Sequence, residues 1–350
     1  MLTFEEVFTF DNLLASAEEC CNGVRWKAST QNFEAKMLMW VSNLHRQLMS
    51  GKYRSRGFNR FTICERGKVR HIQSVHISER CVQKCLVRYC LRPLVIPKLI
   101  SDTYATLPGK GTEAALSRLR EHLRWYYARH GRDGCILTMD YHDYFASIPH
   151  DRLMAMYSRL DMDERLLELA GYFVGCFDGD FGLGLGSEIS QISAVFYTNP
   201  IDHLAKDRLG IHCYGRYMDD SYLIADRAAC EAALDAITAM STDMGLQLNT
   251  KATRITPLTQ GFRYLKKRIM LTETGRIVMR LQRDNIRRER QRVMKNELMV
   301  AAGEMPRESA DQSWQSWCSY ASRYDARNTL ATMNQHRLEA ISSLPSEPLK

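Results

Sequence analysis

HCYGRYMDDSYLIAD, residues 212–226, sets two adjacent carboxylates, Asp219 and Asp220, between two apolar segments. Both segments are rich in the aromatic and aliphatic residues that strands prefer, so the stretch predicts a strand pair with the carboxylates at its turn. Neighbouring carboxylates repel each other, and removing them from water is costly unless a cation compensates. An Asp-Asp pair by itself is more often a surface turn, so the interpretation depends on the rest of the chain.

A third carboxylate stands in a similar setting upstream. Asp140 follows the apolar run Cys135–Met139, which has the pattern of a buried strand. Helical segments and a glycine-rich stretch at 175–187 separate it from Asp219 and Asp220. Three carboxylates at neighbouring strand ends suit a pair of Mg²⁺ ions, which Mn²⁺ can replace, and such a pair catalyses phosphoryl transfer. The sequence therefore predicts a two-metal site at these three residues.

Positive charge is concentrated in two windows of the chain. The 350 residues include 48 Lys and Arg against 40 Asp and Glu, which gives a net charge of +8. Residues 51–92 carry a net charge of +9 and residues 276–296 carry +6, so the remainder of the chain is acidic at −7. Basic windows around an acidic centre are typical of a channel that grips a nucleic-acid backbone around a metal site. Two solvated helical faces are the alternative interpretation.

Composition narrows the class of protein further. Hydrophobic residues make up 45% of the chain and charged residues 25%, as in folded domains, and the length predicts two or three structural units.

No apolar run has the length of a membrane span, and the acidic start Met1–Glu6 is unlike a signal peptide, so we expect a cytoplasmic protein. The 11 cysteines are predicted to be reduced thiols. Cys81, Cys85 and Cys90, at helical spacing, are interpreted as packing residues rather than zinc ligands.

The predicted elements alternate helices with short strands. Residues 1–50 are predicted to be helical, and residues 61–72 to form a β-hairpin around a polar turn. Further helices are predicted at 77–92, 112–129, 150–160, 164–174, 188–208 and 228–244, and polar helices from 281 onward. Besides the strands beside the carboxylates, single strands are predicted at 246–248 and 262–270.

Tyr217-Met218-Asp219-Asp220 resembles the signature motif of reverse transcriptases, and further motifs follow the order of that family. Lys68-Val69-Arg70 resembles the fingers element that holds the incoming triphosphate, and Thr138-Met139-Asp140 with Tyr144-Phe145 resembles the first palm motif. Gly186 with Ser190-Gln191 is similar to the motif that contacts template and nucleotide. Three later stretches are similar to the lysine motif near the phosphates, the primer grip and a thumb segment: Leu246–Lys251, Gly261–Leu265 and Ser316–Tyr320. The resemblance covers about residues 50–335.

This resemblance implies an α+β fold, that of a right-hand polymerase with fingers, a palm of antiparallel sheet plus helices, and a helical thumb. The implied domains are an N-terminal helical region at 1–50, fingers at 51–134, a palm at 135–270 with a fingers-like insertion near 150–185, and a helical thumb with the C-terminal tail at 271–350. The implied activity is that of an RNA-directed DNA polymerase, which extends a primer on an RNA template from dNTPs by two-metal phosphoryl transfer.

The resemblance also implies a role for particular residues. Asp140, Asp219 and Asp220 correspond to the catalytic metal ligands. The implied dNTP contacts are Lys68, Arg70, Tyr144, Phe145, Leu185, Gly186, Gln191 and Lys251. Phe145 occupies the position of the ring that excludes a 2′-hydroxyl, with core packing as the alternative. Lys251 lies in the motif near the leaving pyrophosphate, with a solvated loop lysine as the alternative.

Template RNA and a primer are the implied macromolecular partners. The residues implied to bind them are Tyr217, Met218, Gly261, Phe262, Arg283, Arg287 and Arg290. The resemblance leaves room for a small basic accessory protein and includes no membrane partner.

Two departures from the family pattern bear on the biological role. Leu107 replaces the arginine that usually precedes Pro-Gly, and the usual Gln-Gly-x-x-x-Ser-Pro reads LGSEISQ at 185–191. The second variant is similar to the reverse transcriptases of diversity-generating retroelements, of the bacterial non-LTR lineage, which implies a bacterial or phage-encoded protein that performs mutagenic retrohoming. A phage-defence reverse transcriptase is one alternative. An RNA-binding scaffold with a vestigial polymerase site is another, from a different functional class.

Overall fold

A computed structural model of the chain describes residues 1–65, 68–177, 179–184 and 186–343. Helices and antiparallel sheets are mixed along these residues, as expected of an α+β fold. The α-helices are α1 Phe4–Val7, α2 Phe10–Cys21, α3 Ala28–Glu34, α4 Met37–Met49, α5 Ile77–Leu86, α6 Arg92–Val95, α7 Thr112–His130, α8 Tyr144–Ser147, α9 His150–Tyr157, α10 Glu164–Gly175, α11 Glu188–Tyr197, α12 Asn199–His203, α13 Arg227–Asp243, α14 Arg283–Ala301, α15 Arg307–Ala321 and α16 Arg327–Ser343.

The strands that the structure describes form three sheets. The strands are β1 Phe58–Glu65, β2 Lys68–Val75, β3 Cys135–Met139, β4 Cys213–Tyr217, β5 Asp220–Ala225, β6 Arg254–Pro257, β7 Phe262–Tyr264, β8 Lys267–Leu271 and β9 Ile277–Leu281. β1 and β2 form an antiparallel hairpin, and the larger sheets have the orders β4-β5-β3-β6 and β7-β8-β9.

The chain divides into two compact units. The first comprises Met1–Arg118, Met139–Leu223 and Glu231–Arg254, and contains the hairpin β1–β2, helices α1–α6 and α8–α12, and the turn between β4 and β5. The second comprises Leu119–Thr138, Ile224–Cys230 and Ile255–Lys350, and contains the sheet β7-β8-β9 with helices α14–α16.

The N-terminal helices are integral to the first unit. Thr3 caps α1 and accepts a hydrogen bond from the backbone N–H of Glu6, while the Glu6 carboxylate accepts one from the Thr3 N–H, which is a complete capping box. The backbone N–H of Leu2 donates to the carbonyl of Asp161, and the N–H of Asp163 donates to the carbonyl of Leu2. These pairings fix the start of the chain against the loop before α10.

The cysteines predicted to be packing residues are buried. Cys81, Cys85 and Cys90 have no exposed surface, and they lie on α5 and on the π-helical turn Val87–Leu91 that continues it. The Cys85 thiol donates to the backbone carbonyl of Val7 at 3.3 Å, which joins α5 to the N-terminal region. These cysteines are free thiols in the core.

Two strand predictions were wrong. Residues 262–270 form two strands, β7 and β8, rather than one, because the chain reverses at Leu265 and Lys266, both with positive φ. Residues 246–248 form no strand, since only Leu248 makes an isolated bridge, to Tyr141. Strands β6 and β9 were not predicted, because their short segments show no clear alternation.

Over the parts of the chain that the structure describes, no helix is both long enough and apolar enough to cross a bilayer.

Candidate active site

A cavity of about 720 Å³ lies in the first unit. Its walls come from five parts of the chain: one side of β2, residues 140–146 after β3, Phe177 with residues 181–184, Asp219 in the β4–β5 turn, and Asn249. Asp140 and Asp219 both line it, so two of the three carboxylates predicted from the sequence meet in one cavity. Asp220 begins β5, is half-buried and does not line the cavity.

Asp140 is held by the loop that follows α13. Its backbone N–H donates to the Thr253 hydroxyl at 3.5 Å, and its carbonyl accepts from the N–H of Asn249 at 2.8 Å. The Asn249 side-chain amide donates to Oδ2 of Asp140 at 3.2 Å. One carboxylate oxygen is therefore engaged by Asn249, and the group is fixed at the cavity wall by backbone and side-chain contacts.

Asp219 occupies a tight turn between β4 and β5. Met218, which precedes it, adopts φ +60, a left-handed conformation that is uncommon for a residue with a side chain. Burial raises the pKa of the Asp219 carboxyl above its usual value, and the negative charge of Asp140 adds to the shift. The charged form of Asp219 is thus less favourable in the protein than in water, and a cation in the cavity would offset this effect.

A buried arginine, Arg216, holds this turn through a hydrogen bond to its backbone. Arg216, 1% exposed, donates from Nη2 to Asp202 at 2.6 Å and from Nη1 to the carbonyl of Met218 at 3.1 Å. Asp202, which has no exposed surface, also accepts from the Tyr214 hydroxyl at 2.7 Å. Arg216 also donates to the carbonyl of Val195 in α11 at 2.9 Å, so one guanidinium joins the strained turn to α11 and α12.

A family model described as reverse transcriptase (RNA-dependent DNA polymerase) matches residues 57–268, more than half of the chain. The chain belongs to the reverse transcriptase family. It is an RNA-directed DNA polymerase, a nucleotidyltransferase whose substrates are a template nucleic acid and dNTPs. Every residue that lines the cavity falls within the matched segment. The chain has no match among curated protein sequences.

Divalent metal ions such as Mg²⁺ are general to reverse transcriptases, and the cavity fits them. Asp140 and Asp219 supply hard oxygen donors, and the raised pKa of Asp219 means that a bound cation would favour its charged form. Mg²⁺ commonly binds through one or two carboxylates and completes its shell with water and substrate phosphates. Within the described residues, no group of three or more His, Cys, Asp or Glu side chains could hold an ion by itself.

Two aromatic residues predicted to contact the dNTP of this reverse transcriptase differ in burial. Phe145 is half-buried and lines the cavity, with its ring edge-on to Tyr144 at a centroid distance of 5.7 Å. Tyr144 is 3% exposed, and its hydroxyl donates to the carbonyl of Ala194 at 2.6 Å. Tyr144 therefore ties the cavity wall to α11, whereas the Phe145 ring is available at the cavity surface.

Three residues of β2 that were not among the contacts predicted from the sequence line the cavity. Val69, His71 and Gln73 alternate along the strand and so share one face of it. The Oε1 atom of Gln73 is buried and has no hydrogen-bond partner among the described residues. Lys68 and Arg70 belong to the same strand, but their side chains are outside those that the structure describes.

The glycine-rich segment adds two aromatic rings to the cavity. Phe177 and Phe181 both line it, and Phe181 is 60% exposed. The alternation of side chains along β2 could have indicated His71 and Gln73 from the sequence. The sequence around Phe177 and Phe181 has no periodicity, so no pattern there indicated these two rings.

The start of α11 is fixed by contacts to α5 and α6. Gly186 has φ +106, a conformation open to glycine, and a side chain there would approach Ile72 of β2. The Glu188 carboxylate pairs with Lys84 at 2.9 Å and with Arg92 at 3.2 Å. Leu185 lies outside the described residues. Gln191 is exposed on α11 and does not line the cavity.

The remaining predicted contacts are dispersed. Lys251 is exposed, and its backbone N–H donates to Oδ1 of Asn249 at 3.1 Å. Tyr217 and Met218 are half-buried at the β4–β5 turn. In the second unit, Gly261 is exposed and Phe262 is 4% exposed. Arg283, Arg287 and Arg290 are exposed on α14.

Proposed function

We propose that this reverse transcriptase extends a primer on an RNA template by two-metal phosphoryl transfer, with Asp140 and Asp219 as the principal ligands and Asp220 in support. The observation that carries the proposal is that Asp140 and Asp219 line one cavity and that burial, together with the charge of Asp140, raises the pKa of Asp219. When bound, Mg²⁺ would activate the attacking oxygen and stabilise the leaving group. The protein's own part is to hold both carboxylates rigidly through Asn249 and Arg216.

We further propose that the cavity selects deoxynucleotides. Phe145 forms the wall beneath the sugar, where its ring leaves no room for a 2′-hydroxyl. The other proposed dNTP contacts are Lys68, Arg70 and Lys251 for the phosphates, and Tyr144, Leu185, Gly186 and Gln191 for the nucleoside and its pairing. Cationic side chains suit the phosphates because negative charge develops there in the transition state.

Primer and template are proposed to bind through Tyr217, Met218, Gly261 and Phe262 and through the basic face of α14 with Arg283, Arg287 and Arg290. The proposed domains are an N-terminal region at 1–50, fingers at 51–134, a palm at 135–270 and a thumb with the C-terminal tail at 271–350. The basic windows of the sequence fall in the proposed fingers and thumb, which supports contact with a polyanion in both.

The test of this function is primer extension by Asp140→Asn and Asp219→Asn. Each substitution removes a ligand charge at nearly constant volume, so extension should fall by several orders of magnitude while the protein remains folded. Because Asp219 is half-buried and the negative charge of Asp140 raises its pKa further, Asp219→Asn should also raise the melting temperature without metal. Added Mg²⁺ should stabilise wild type more than either variant.

The matched control is Asp235→Asn, an exposed carboxylate on α13. It should leave both extension and the response to Mg²⁺ unchanged. Extension near the wild-type rate by Asp140→Asn or Asp219→Asn would remove the metal assignment.

For the biological role, we propose mutagenic copying in a diversity-generating retroelement of the bacterial non-LTR lineage, in the cytoplasm of a bacterium. Support comes from the sequence at 185–191, where Leu185 stands in place of glutamine and offers no hydrogen bond to fix pairing geometry. The same chemistry in a phage-defence system is the second candidate.

The two roles are separated by sequencing the cDNA that wild type and Leu185→Gln make on one RNA template, with any accessory partner supplied. The mutagenic role requires frequent errors opposite template adenines in wild type and fewer in the variant. Accurate copying at adenines by wild type would favour the defence role. Binding of RNA without any primer extension would instead indicate a scaffold.

A further inference from the structure

A second cavity, of about 270 Å³, lies in the first unit. Its lining comes from helices α1 and α4, from the segment that follows α4, and from α10. It shares no lining residue with the cavity that contains Asp140 and Asp219, and none of its residues is among the contacts predicted from the sequence. The proposed function therefore leaves this second cavity without a role.

Much of the lining of the second cavity is apolar. Phe4, Leu48 and Leu169 are buried there, and Tyr172 adds an aromatic ring that is 36% exposed. The Tyr172 hydroxyl accepts a hydrogen bond from the backbone N–H of Ser55 at 2.7 Å, which fixes the position of the ring. Apolar walls with an accessible, fixed aromatic ring suit a ligand that contains a flat ring system, because such rings stack favourably.

Two opposite charges in this lining are available to a ligand. Glu168 is exposed and makes no hydrogen bond or ion pair with any residue that the structure describes. Arg54 is also exposed, and its Nη1 atom donates to the backbone carbonyls of Tyr53 at 2.7 Å and Gly51 at 3.4 Å. Among the described residues, Nε and Nη2 of Arg54 have no acceptor, and Arg54 and Glu168 do not pair with each other.

The other cation of the lining, Arg165, is already engaged. It forms an ion pair with Glu5, and its guanidinium carbon lies 4.0 Å from the centroid of the Phe4 ring. Its Nη2 atom also donates to the backbone carbonyl of Leu48 at 3.4 Å. Arg165 therefore forms part of the wall, and Arg54 is the lining cation that is available to an anion.

We propose that the second cavity binds a guanine mononucleotide, with the base against Tyr172, its Watson–Crick edge on Glu168 and its phosphate on Arg54. A carboxylate accepts hydrogen bonds and donates none. Among the common bases, guanine alone presents two adjacent N–H donors on that edge, N1–H and the N2 amino group, which match the two oxygens of a carboxylate. The Nε and Nη2 atoms of Arg54 form the edge of a guanidinium that binds phosphate in a bidentate manner.

The separation of the two charges favours a nucleotide over a free amino acid. An amino acid carries its ammonium and carboxylate on a single carbon atom, so it suits charged side chains that lie side by side, whereas Arg54 and Glu168 form no ion pair. A nucleotide carries its base donors and its phosphate at opposite ends. The cavity is also smaller than most ligand cavities, which are roughly 300–1,000 Å³, so it suits one nucleotide rather than two.

The experiment is calorimetric titration of GMP into the full chain, without divalent metal so that nucleotide binding beside Asp140 and Asp219 is disfavoured. GMP should bind at one site. AMP should bind at least about tenfold more weakly, because adenine places an acceptor where guanine has N1–H and so loses a hydrogen bond to a charged group. Guanosine, which lacks the phosphate, should also bind more weakly than GMP, and free phenylalanine should not bind.

Two variants test the assigned contacts. Glu168→Gln should abolish the preference for GMP over AMP, whereas Arg54→Gln should weaken the binding of GMP and leave that of guanosine unchanged. The matched controls are Glu164→Gln, exposed on the same helix, and Arg159→Gln, exposed in the same unit; neither residue lines the cavity. Both controls should bind GMP as wild type does. Melting temperatures near that of wild type show that any loss of binding is not a loss of folding.

Equal affinity for GMP and AMP would overturn the proposal, as would phenylalanine binding more tightly than GMP. Undiminished GMP binding by the double variant Arg54→Gln/Glu168→Gln would also overturn it, and so would the absence of binding by wild type at millimolar GMP. Because binding is measured without catalysis, these outcomes are independent of the proposed function.

Discussion

The half-buried position of Phe145 bears on whether its ring contacts the nucleotide sugar or packs in the core. Its ring is half-buried at the cavity surface, so Phe145→Val should widen the sugar site more than it weakens the core. We expect ribonucleotide incorporation relative to dNTP incorporation to rise roughly tenfold or more, since a cavity of a few methylene groups discriminates on that scale. Competition assays with matched rNTP and dNTP measure the ratio.

The control for Phe145 is Phe173→Val in α10, where the ring is 2% exposed. That variant should lose stability with its sugar preference unchanged, because it opens a void in the core. If Phe145→Val behaves in the same way, the ring is a packing residue.

Arg216 pairs with the buried Asp202 and also holds the turn that carries Asp219, so we expect it to affect catalysis through that turn. Arg216→Lys retains a cation beside Asp202 but cannot donate at once to the carbonyls of Met218 and Val195. We expect the turn to shift and the kcat for primer extension to fall by about a hundredfold, as small misplacements at active sites do. The KM for primer–template should change little.

The matched comparison is Arg337→Lys, which disturbs the pair with the buried Glu297 in the second unit. It should lower the melting temperature with kcat nearly unchanged. An equal fall in kcat for the two variants would mean that Arg216 contributes only stability.

At the scale of elements, the hairpin turn between β7 and β8 carries backbone strain. Leu265 and Lys266 have φ +44 and φ +60, as a two-residue turn of this hand requires, yet neither is Asn or Gly. Leu265→Asn with Lys266→Gly should raise the free energy of unfolding by about 1 kcal/mol, because left-handed backbone costs about that much for residues with a larger side chain. Denaturant titration measures the change.

Lys266→Ala is the control for this turn, since alanine keeps a Cβ at positive φ. It should give no gain in the midpoint of unfolding. A stable alanine variant and an unchanged Asn-Gly variant would show that the turn is unstrained. The absence of Asn-Gly explains why the sequence predicted one strand at 262–270.

At the scale of the whole molecule, the positive charge is concentrated in two windows, residues 51–92 and 276–296. Binding of primer–template should therefore depend on few sites. Arg283, Arg287 and Arg290 are exposed on α14, and their joint replacement by glutamine should make the salt slope of primer–template binding shallower by about two to three. Fluorescence anisotropy over a range of salt concentrations measures it.

An unchanged slope in the α14 variant would identify those arginines as merely solvated.

The sequence by itself determined the carboxylates and the elements that carry them. Asp219 and Asp220 between apolar strands, Asp140 after its strand and the hairpin predicted at 61–72 follow from composition and alternation over a few residues, which local sequence records directly. The family follows from the order of such motifs.

Only the tertiary structure decided which side chains act together. It brought Asp140 and Asp219 to one cavity, left Asp220 outside its lining, and joined Arg216 to Asp202. These juxtapositions depend on how separate helices, strands and loops pack together, and a shift of one residue in the register of a strand would turn its side chains to the other face of the sheet.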